Sequence, residues 1–493
     1  MQNLNKTIIN ATKWSVVAEI AAKLISPIIN MILARLLLPE AFGAVATITM
    51  VISFAEIFSD AGFQKYVVQH EFTDERDFDE SVNVAFWSNF AISVVIVVII
   101  CIFQHPLAEL VGSPELNTGM VAASLSIIFV AFSSVQAAVY RRKFNFKALF
   151  YIRIIISLIP LIITIPLAIV FRNYWALVIG GLSKDLVNAI ILTIKSDWKP
   201  RFFYSFRRLC EMLSFSLWTF FETVTIWLTS NIGVFIVGKG LSDYYLGLYK
   251  TSMTTVNSYM AIVVSSVTPV LFSALSRCQK DEEKFKETFH GFQKSVAIFL
   301  LPMGIGIFIF RDFVVTLLLG NNWMEASGFI GLWGLMNAIS IILGSLYSDI
   351  YRSKGQPRVS LLLQLAYLFI LTPALSLSIQ YDFETIYMVR SLIIIPYIIT
   401  TMLVARCAFG ISIITTLKNI FPQTVSALVM GLVGLTLKNK YIGLAWQIVC
   451  IGVCMIVYFS VIMLFPSMRK MIFELDFLKK IMGKFRRNHD ARI

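Results

Sequence analysis

The chain has 493 residues, 57% of them apolar and only 14% charged, and its mean hydropathy is +0.77. That leaves too little polar surface to cover a soluble globule, so the chain reads as an integral membrane protein. Its net charge of +13 then belongs at lipid headgroups, and no nucleic-acid partner is expected.

A bilayer core of ~30 Å needs ~20 apolar residues per helix. No short leader with a small-residue cleavage site precedes the first apolar stretch, near 11 to 34, which carries Glu19 and Lys23 and is expected to stay as a helix. The second, near 41 to 64, holds Glu56 and Asp60. Spans follow near 81 to 103, 117 to 139, 151 to 171 and 174 to 194, the last carrying Lys184 and Asp185. Residues 201 to 213 set Phe202, Phe203, Phe206, Leu209, Cys210 and Leu213 at helical spacing opposite Arg201, Arg207 and Arg208, the pattern of an amphipathic helix on the inner leaflet.

The second set of spans begins near 211 to 237 with Glu222 and near 244 to 272 with Lys250. It continues near 292 to 310, 326 to 349, 359 to 380 and 384 to 405, where Arg390 lies, and ends with a pair near 412 to 436 and 441 to 466. A basic tail, 467 to 493, repeats an apolar stripe among cations and suits anionic lipid. The six cysteines form no C-x-x-C pair and the four histidines no ligand cluster, so both read as packing residues, with no metal or redox chemistry.

The 42 lysines and arginines alternate between the connections: 32 on the side of the N-terminus, 6 on the other and 4 inside spans. By the positive-inside rule both termini are cytoplasmic. One connection stands out, because 65 to 80 carries six carboxylates against Lys65 and Arg76; acidic residues weigh little in orientation, so the assignment stands.

Equivalent connections recur about 205 residues apart. Leu38 to Gly43 resembles Leu241 to Gly247, Phe103 to Gly112 resembles Phe310 to Gly320, and Tyr140 to Asn145 resembles Tyr351 to Gln356, with offsets drifting from 204 to 211. The expected fold is therefore all-α, an integral membrane protein of about 14 transmembrane helices. Two six-helix lobes, 1–200 and 211–406, are related by a pseudo-two-fold axis along the membrane normal. The 201–213 linker joins them, and a C-terminal helix pair, 407–466, precedes the tail.

Ionisable side chains in hydrocarbon cost ~2.5 to 3.5 kcal/mol on insertion scales, so each should face a cavity or a partner. Glu19 with Lys23 can pair along one helix face, and Asp60 can reach cytoplasmic water. As a set, the deep cations Lys23, Lys184, Lys250 and Arg390 suit an anion, and phosphate is the anion that lysine and arginine commonly bind.

Several segments together resemble the Wzx-type polysaccharide, or lipid-linked oligosaccharide, flippases of the multidrug/oligosaccharidyl-lipid/polysaccharide exporter superfamily. They are Leu38–Gly43, Asp60–Phe63, Arg141–Phe146, Leu246–Tyr249, Pro269–Arg277 and Leu318–Trp323. The resemblance implies a transporter, not an enzyme. It would carry undecaprenyl-diphosphate-linked oligosaccharide from the inner to the outer leaflet of a bacterial inner membrane by alternating access.

It also implies that the first two helices of each lobe face a central cavity, which favours Glu19, Lys23, Glu222 and Lys250 over Lys184 and Arg390 as substrate contacts. By analogy with peptidoglycan-precursor flippases, the final helix pair lines a groove for the lipid tail. Expected partners are membrane lipids, a polysaccharide polymerase and glycosyltransferases, with the transporter itself a monomer.

A cation-coupled multidrug exporter of the same superfamily is the alternative, with Glu19, Glu56 and Asp60 as its ion and drug site. Basic residues in the cavity argue against cationic drugs. A membrane glycosyltransferase would need a large loop, and the longest outer connections have about 15 residues. A scaffold would leave the buried charges without a reason. No G-x-x-x-x-G-K-[ST] is present, so ATP is not expected to drive it directly; the energy source stays open, with Na+ or H+ as the candidate coupling ion, Glu56 and Asp60 as the candidate residues for it, and no other cofactor expected.

Overall fold

The structure is a computed structural model that describes residues 25–474 apart from 61, 197 and 442. Every regular element among the described residues is helical. In chain order the long helices are α1 (Ile25–Leu36), α2 (Pro39–Asp60), α3 (Glu75–Ile102), α4 (Asn117–Arg142), α5 (Phe146–Phe171), α6 (Trp175–Lys195) and α7 (Phe206–Gly240). After them come α8 (Asp243–Arg277), α9 (Glu282–Ile309), α10 (Asn321–Ser353), α11 (Pro357–Ser378), α12 (Phe383–Phe409), α13 (Ile413–Lys438) and α14 (Leu444–Met463). Twelve are long and apolar enough to cross a membrane, and α1 and α7 overlie the expected first and seventh spans.

Short polar side chains set where several spans begin. Asp74 accepts from Asp77 N at 2.7 Å ahead of α3, Asn145 from Ala148 N ahead of α5, and Asp281 from Lys284 N ahead of α9. Asp382 and Ser412 do the same for α12 and α13. Each satisfies an otherwise orphaned backbone N–H of a first turn.

Residues 201 to 205 are not helical. They lie across α3, where Asn83 Oδ1 accepts from Arg201 N at 2.6 Å and Trp87 Nε1 donates to Arg201 O at 2.9 Å. With those backbone groups taken, the helix starts at Phe206 and runs unbroken to Gly240. Phe202 and Phe206 are exposed. The acidic connection before α3 finds its reason here: Arg208 donates to Asp77, to Glu80 at 2.8 Å and to the Ser81 hydroxyl at 3.0 Å.

The chain forms two compact units. The first takes in the described residues up to Ser266 with Val315–Phe329 and Pro357–Ile393; the second has Val267–Val314, Ile330–Gln356 and the described residues from Ile394. In the first unit α4 is central: Asn89 on α3 donates to Ser134 at 2.9 Å, and Gln136 donates to Thr193 on α6 at 2.8 Å. Such inter-helix bonds hold spans together where lipid removes the hydrophobic drive.

The first unit also contains a reciprocal contact. A Cβ built on Gly43 would collide with the Asp243 carbonyl, and one built on Gly247 would collide with the Pro39 carbonyl. Pro39 and Asp243, like Gly43 and Gly247, are 204 residues apart, so one contact occurs twice, as a local two-fold relation demands. A second pair repeats the rule: Gly112, at φ +85°, abuts Lys239, and Gly320, at φ +97°, abuts Arg35.

In the second unit Lys354 donates to Gln279 O at 2.8 Å and sits 4.4 Å from the Phe285 ring centre. Its counterpart in the first is Arg142, which donates to Val67 O at 3.1 Å and His70 O at 2.6 Å and lies 4.4 Å from the Phe72 ring centre.

Gly43→Ala and Gly247→Ala should each destabilise the protein by about 1–3 kcal/mol, the usual cost of overpacking, while Gly291→Ala, with open space around it, should not. Thermal unfolding of the purified chain followed by fluorescence checks this; equal midpoints for all three would contradict the close packing. Arg208→Ala leaves two carboxylates without their donor and should lower stability by about 1–2 kcal/mol in the same measurement. Arg207→Ala serves as the control, because its pair with Glu211 is exposed.

Candidate functional site

The charges inside the spans fall into three environments. Glu19 and Lys23 lie outside the described residues, as does the side chain of Glu222.

The first environment is a cavity of about 180 Å³ among α2, α4 and α6, within the first unit. Thr49, Ser53 and Glu56 reach it from α2 at helical spacing, Ser126 from α4, and Asp185 from α6. Gly181, one turn before Asp185, has nothing within 4 Å of a built Cβ, which leaves the space open. Glu56 and Asp185 are half-buried, and their charges oppose each other.

Lys184 partly offsets them; its ammonium lies 3.8 Å from Asp185. The structure therefore brings Glu56 together with Lys184 and adds Asp185. The adjacent sequence positions show Lys184 and Asp185 as a pair, but not that the carboxylate turns toward α2. Trp227 on α7 donates to Ser53 at 2.9 Å and its ring packs 4.6 Å from that of Phe54, which fixes that face of α2.

Asp60 is not among the residues lining this cavity. It accepts from Gln64 Nε2 at 3.1 Å, and Gln64 Oε1 accepts from Arg141 at 3.2 Å, so Asp60 ends a polar chain that reaches the C-terminal end of α4.

The second environment encloses Arg390. It is 7% exposed, donating Nε to the Tyr249 hydroxyl at 3.1 Å and Nη1 to the Tyr367 hydroxyl at 2.7 Å. Tyr249 packs on Phe329, 5.3 Å between ring centres, and Phe329 stacks on Tyr387. A buried guanidinium held by two phenols ties α12 to α8 and α11. Neither tyrosine stands out in the sequence, since interfacial and core tyrosines are common in such helices.

The third is Lys250, the residue after Tyr249. It is half-buried, and among the described residues it has no hydrogen-bond or ion-pair partner. Lys250 and Arg390 thus share a region through Tyr249, while Glu56, Lys184 and Asp185 share another. Among the described residues no group of three or more His, Cys, Asp or Glu side chains is placed to hold a metal ion.

Comparison with known proteins agrees with this architecture. The chain is 27% identical over 338 residues to the succinoglycan biosynthesis transport protein ExoT of Rhizobium meliloti (strain 1021), covering 68% of this chain and 67% of that one. It is 20% identical over 353 residues to the lipopolysaccharide biosynthesis protein WzxC of Escherichia coli (strain K12), covering 70% of each. Among solved structures, the lipid II flippase MurJ in an inward closed conformation superposes with a TM-score of 0.76 at 14% identity, over 92% of this chain and 98% of that one, so the two share a fold. The profile described as polysaccharide biosynthesis protein matches residues 32–328, more than half of the chain, and the chain belongs to that family.

Proposed function

We propose that the chain moves a polyprenyl-diphosphate-linked oligosaccharide from the inner to the outer leaflet of a bacterial inner membrane by alternating access, with both termini cytoplasmic. Membership of a polysaccharide biosynthesis family and the likeness to a named transport protein support this reading. The observation that carries the site is Lys250. A half-buried ammonium without a counter-ion among the described residues costs ~2.5 to 3.5 kcal/mol on insertion scales, and a passing diphosphate supplies the missing anion.

In this reading Lys250 and Lys23 hold the diphosphate, while Glu19, Glu222 and Lys184 face the sugars. Arg390 acts one step removed, as a positioning residue: its bond to Tyr249 sets the turn that carries Lys250. Flipping unaided would drag the sugar hydroxyls and the diphosphate through hydrocarbon, where each unsatisfied polar group costs several kcal/mol. The Glu56 and Asp185 cavity, with hydroxyls from Thr49, Ser53 and Ser126, has the oxygen chemistry for a coupling Na+ or H+.

The lipid tail has a candidate berth in the second unit. An apolar cavity of about 390 Å³ lies between α9, α13 and α14, lined by Phe299, Met303, Phe310, Met430, Ile451 and Met455. Glycosyltransferases that assemble the oligosaccharide and a polymerase that extends it are the proteins expected to act before and after this step.

In cells lacking the chromosomal copy, Lys250→Ala at normal protein level should cut polymer export by about tenfold or more, the effect of losing one charge-assisted contact, while Lys250→Arg should retain much of it. Full export by Lys250→Ala removes this residue from the site. Glu56→Gln combined with Asp185→Asn should make transport in proteoliposomes insensitive to an imposed proton or sodium gradient. An unchanged gradient response would place the coupling elsewhere.

A further inference from the structure

A separate cavity of about 340 Å³ lies in the first unit where the end of α4 meets α5 and α6. Arg141 reaches it from the last turn of α4, Arg153 from the second turn of α5 and Asn188 from α6; Phe146, Phe150 and Leu192 are among its apolar walls. At 1.5 Å per residue, Arg153 stands about 10 Å in from the start of α5 and Asn188 about 10 Å from the end of α6, so the cavity runs from the helix ends, where headgroups lie, to about 10 Å inside them.

Among the described residues no carboxylate lines this cavity. The two guanidiniums are close enough for their charges to act on each other, and the Asp60 carboxylate, bonded to Gln64, is close enough to Arg141 to offset that charge in part. Gln64 takes one guanidinium nitrogen of Arg141 at 3.2 Å and holds the side chain in place, leaving further N–H donors available. Two guanidiniums lining one space present planar sets of N–H donors, and a phosphate accepts from such donors with bidentate geometry. The asparagine amide adds a neutral donor beside it.

The walls decide what carries the phosphate. α5 is the least buried of the twelve candidate spans, so the cavity is fenced on one side by a helix that faces lipid. Phe146, Phe150 and Leu192 continue its surface with apolar groups. We infer that this cavity is a binding site for the phosphate of a membrane lipid in the inner leaflet, with Arg141, Arg153 and Asn188 on the headgroup and the tail along α5. The site is distinct from the transport residues above, and it stands whether or not Lys250 contacts the transported molecule. The same phosphate chemistry is offered by bulk anionic phospholipid and by a polyprenyl diphosphate, and two probes separate these sources.

The full-length protein is placed in phosphatidylcholine nanodiscs containing a small fraction of either phosphatidylglycerol or undecaprenyl diphosphate, and lipid retained on the protein is counted by native mass spectrometry. Retention of at least one probe should fall about tenfold in Arg141→Gln/Arg153→Gln, as expected for lost charge-assisted contacts. Arg153→Lys should recover part of it. Arg406→Gln/Lys418→Gln, which removes two exposed cations elsewhere, should retain lipid like the unaltered protein.

Loss with phosphatidylglycerol assigns a structural phospholipid; loss with undecaprenyl diphosphate alone assigns a docking point for the carrier lipid. If the double variant does not fold, Arg153→Gln and Asn188→Ala are read singly, and each should weaken retention. Retention unchanged by any of these variants, or lost equally in the Arg406 and Lys418 control, overturns the site.

Discussion

The first turns of α2 and α8 approach closely only because Gly43 and Gly247 carry no side chain, and the arrangement of the first unit depends on that contact. Each glycine receives a backbone carbonyl from the opposite helix, Asp243 for one and Pro39 for the other. A larger residue at either position would separate both pairs at once. Two corners follow the same relation, with Gly112 against Lys239 and Gly320 against Arg35, each glycine at a φ that other residues rarely adopt. Lys250 lies one turn beyond Gly247, so its position is set by backbone packing.

Around that contact the chain handles charge in four ways, and desolvation separates them. Arg208 stays at the helix end and shares two partly exposed carboxylates, Asp77 and Glu80. Arg390 is enclosed, with phenol oxygens in place of water. Glu56 and Asp185 share a cavity with hydroxyl groups. Lys250 has none of these arrangements among the described residues, and that difference is why we propose it as the substrate contact.

The helices were largely legible because hydropathy and capping are local. The expected spans from 81 to 466 each overlie an observed helix, and Asp74, Asn145, Asp281, Asp382 and Ser412 announce five of the starts. The stretch 201 to 213 reads as one amphipathic segment, but its first residues are extended because Asn83 and Trp87 on α3 take the backbone of Arg201. The acidic stretch before α3 looks out of place by loop charge alone. Its partner, Arg208, is 131 residues from Asp77, and no local pattern connects them.

The site divides along the same line. The sequence by itself determined that the chain is a helical membrane protein, that basic residues crowd one set of connections, that a repeat of about 205 residues runs through it, and which charges stand within apolar stretches. Each of these depends on composition, order and period, which survive without a fold. Only the tertiary structure decided that Arg390 is held by Tyr249 and Tyr367, that Asp185 joins Glu56 while Asp60 turns to Gln64, and that Arg141 and Arg153 converge on one cavity. A side chain's partner in a bundle depends on helix rotation and crossing, and those are fixed by contacts between residues a hundred or more positions apart.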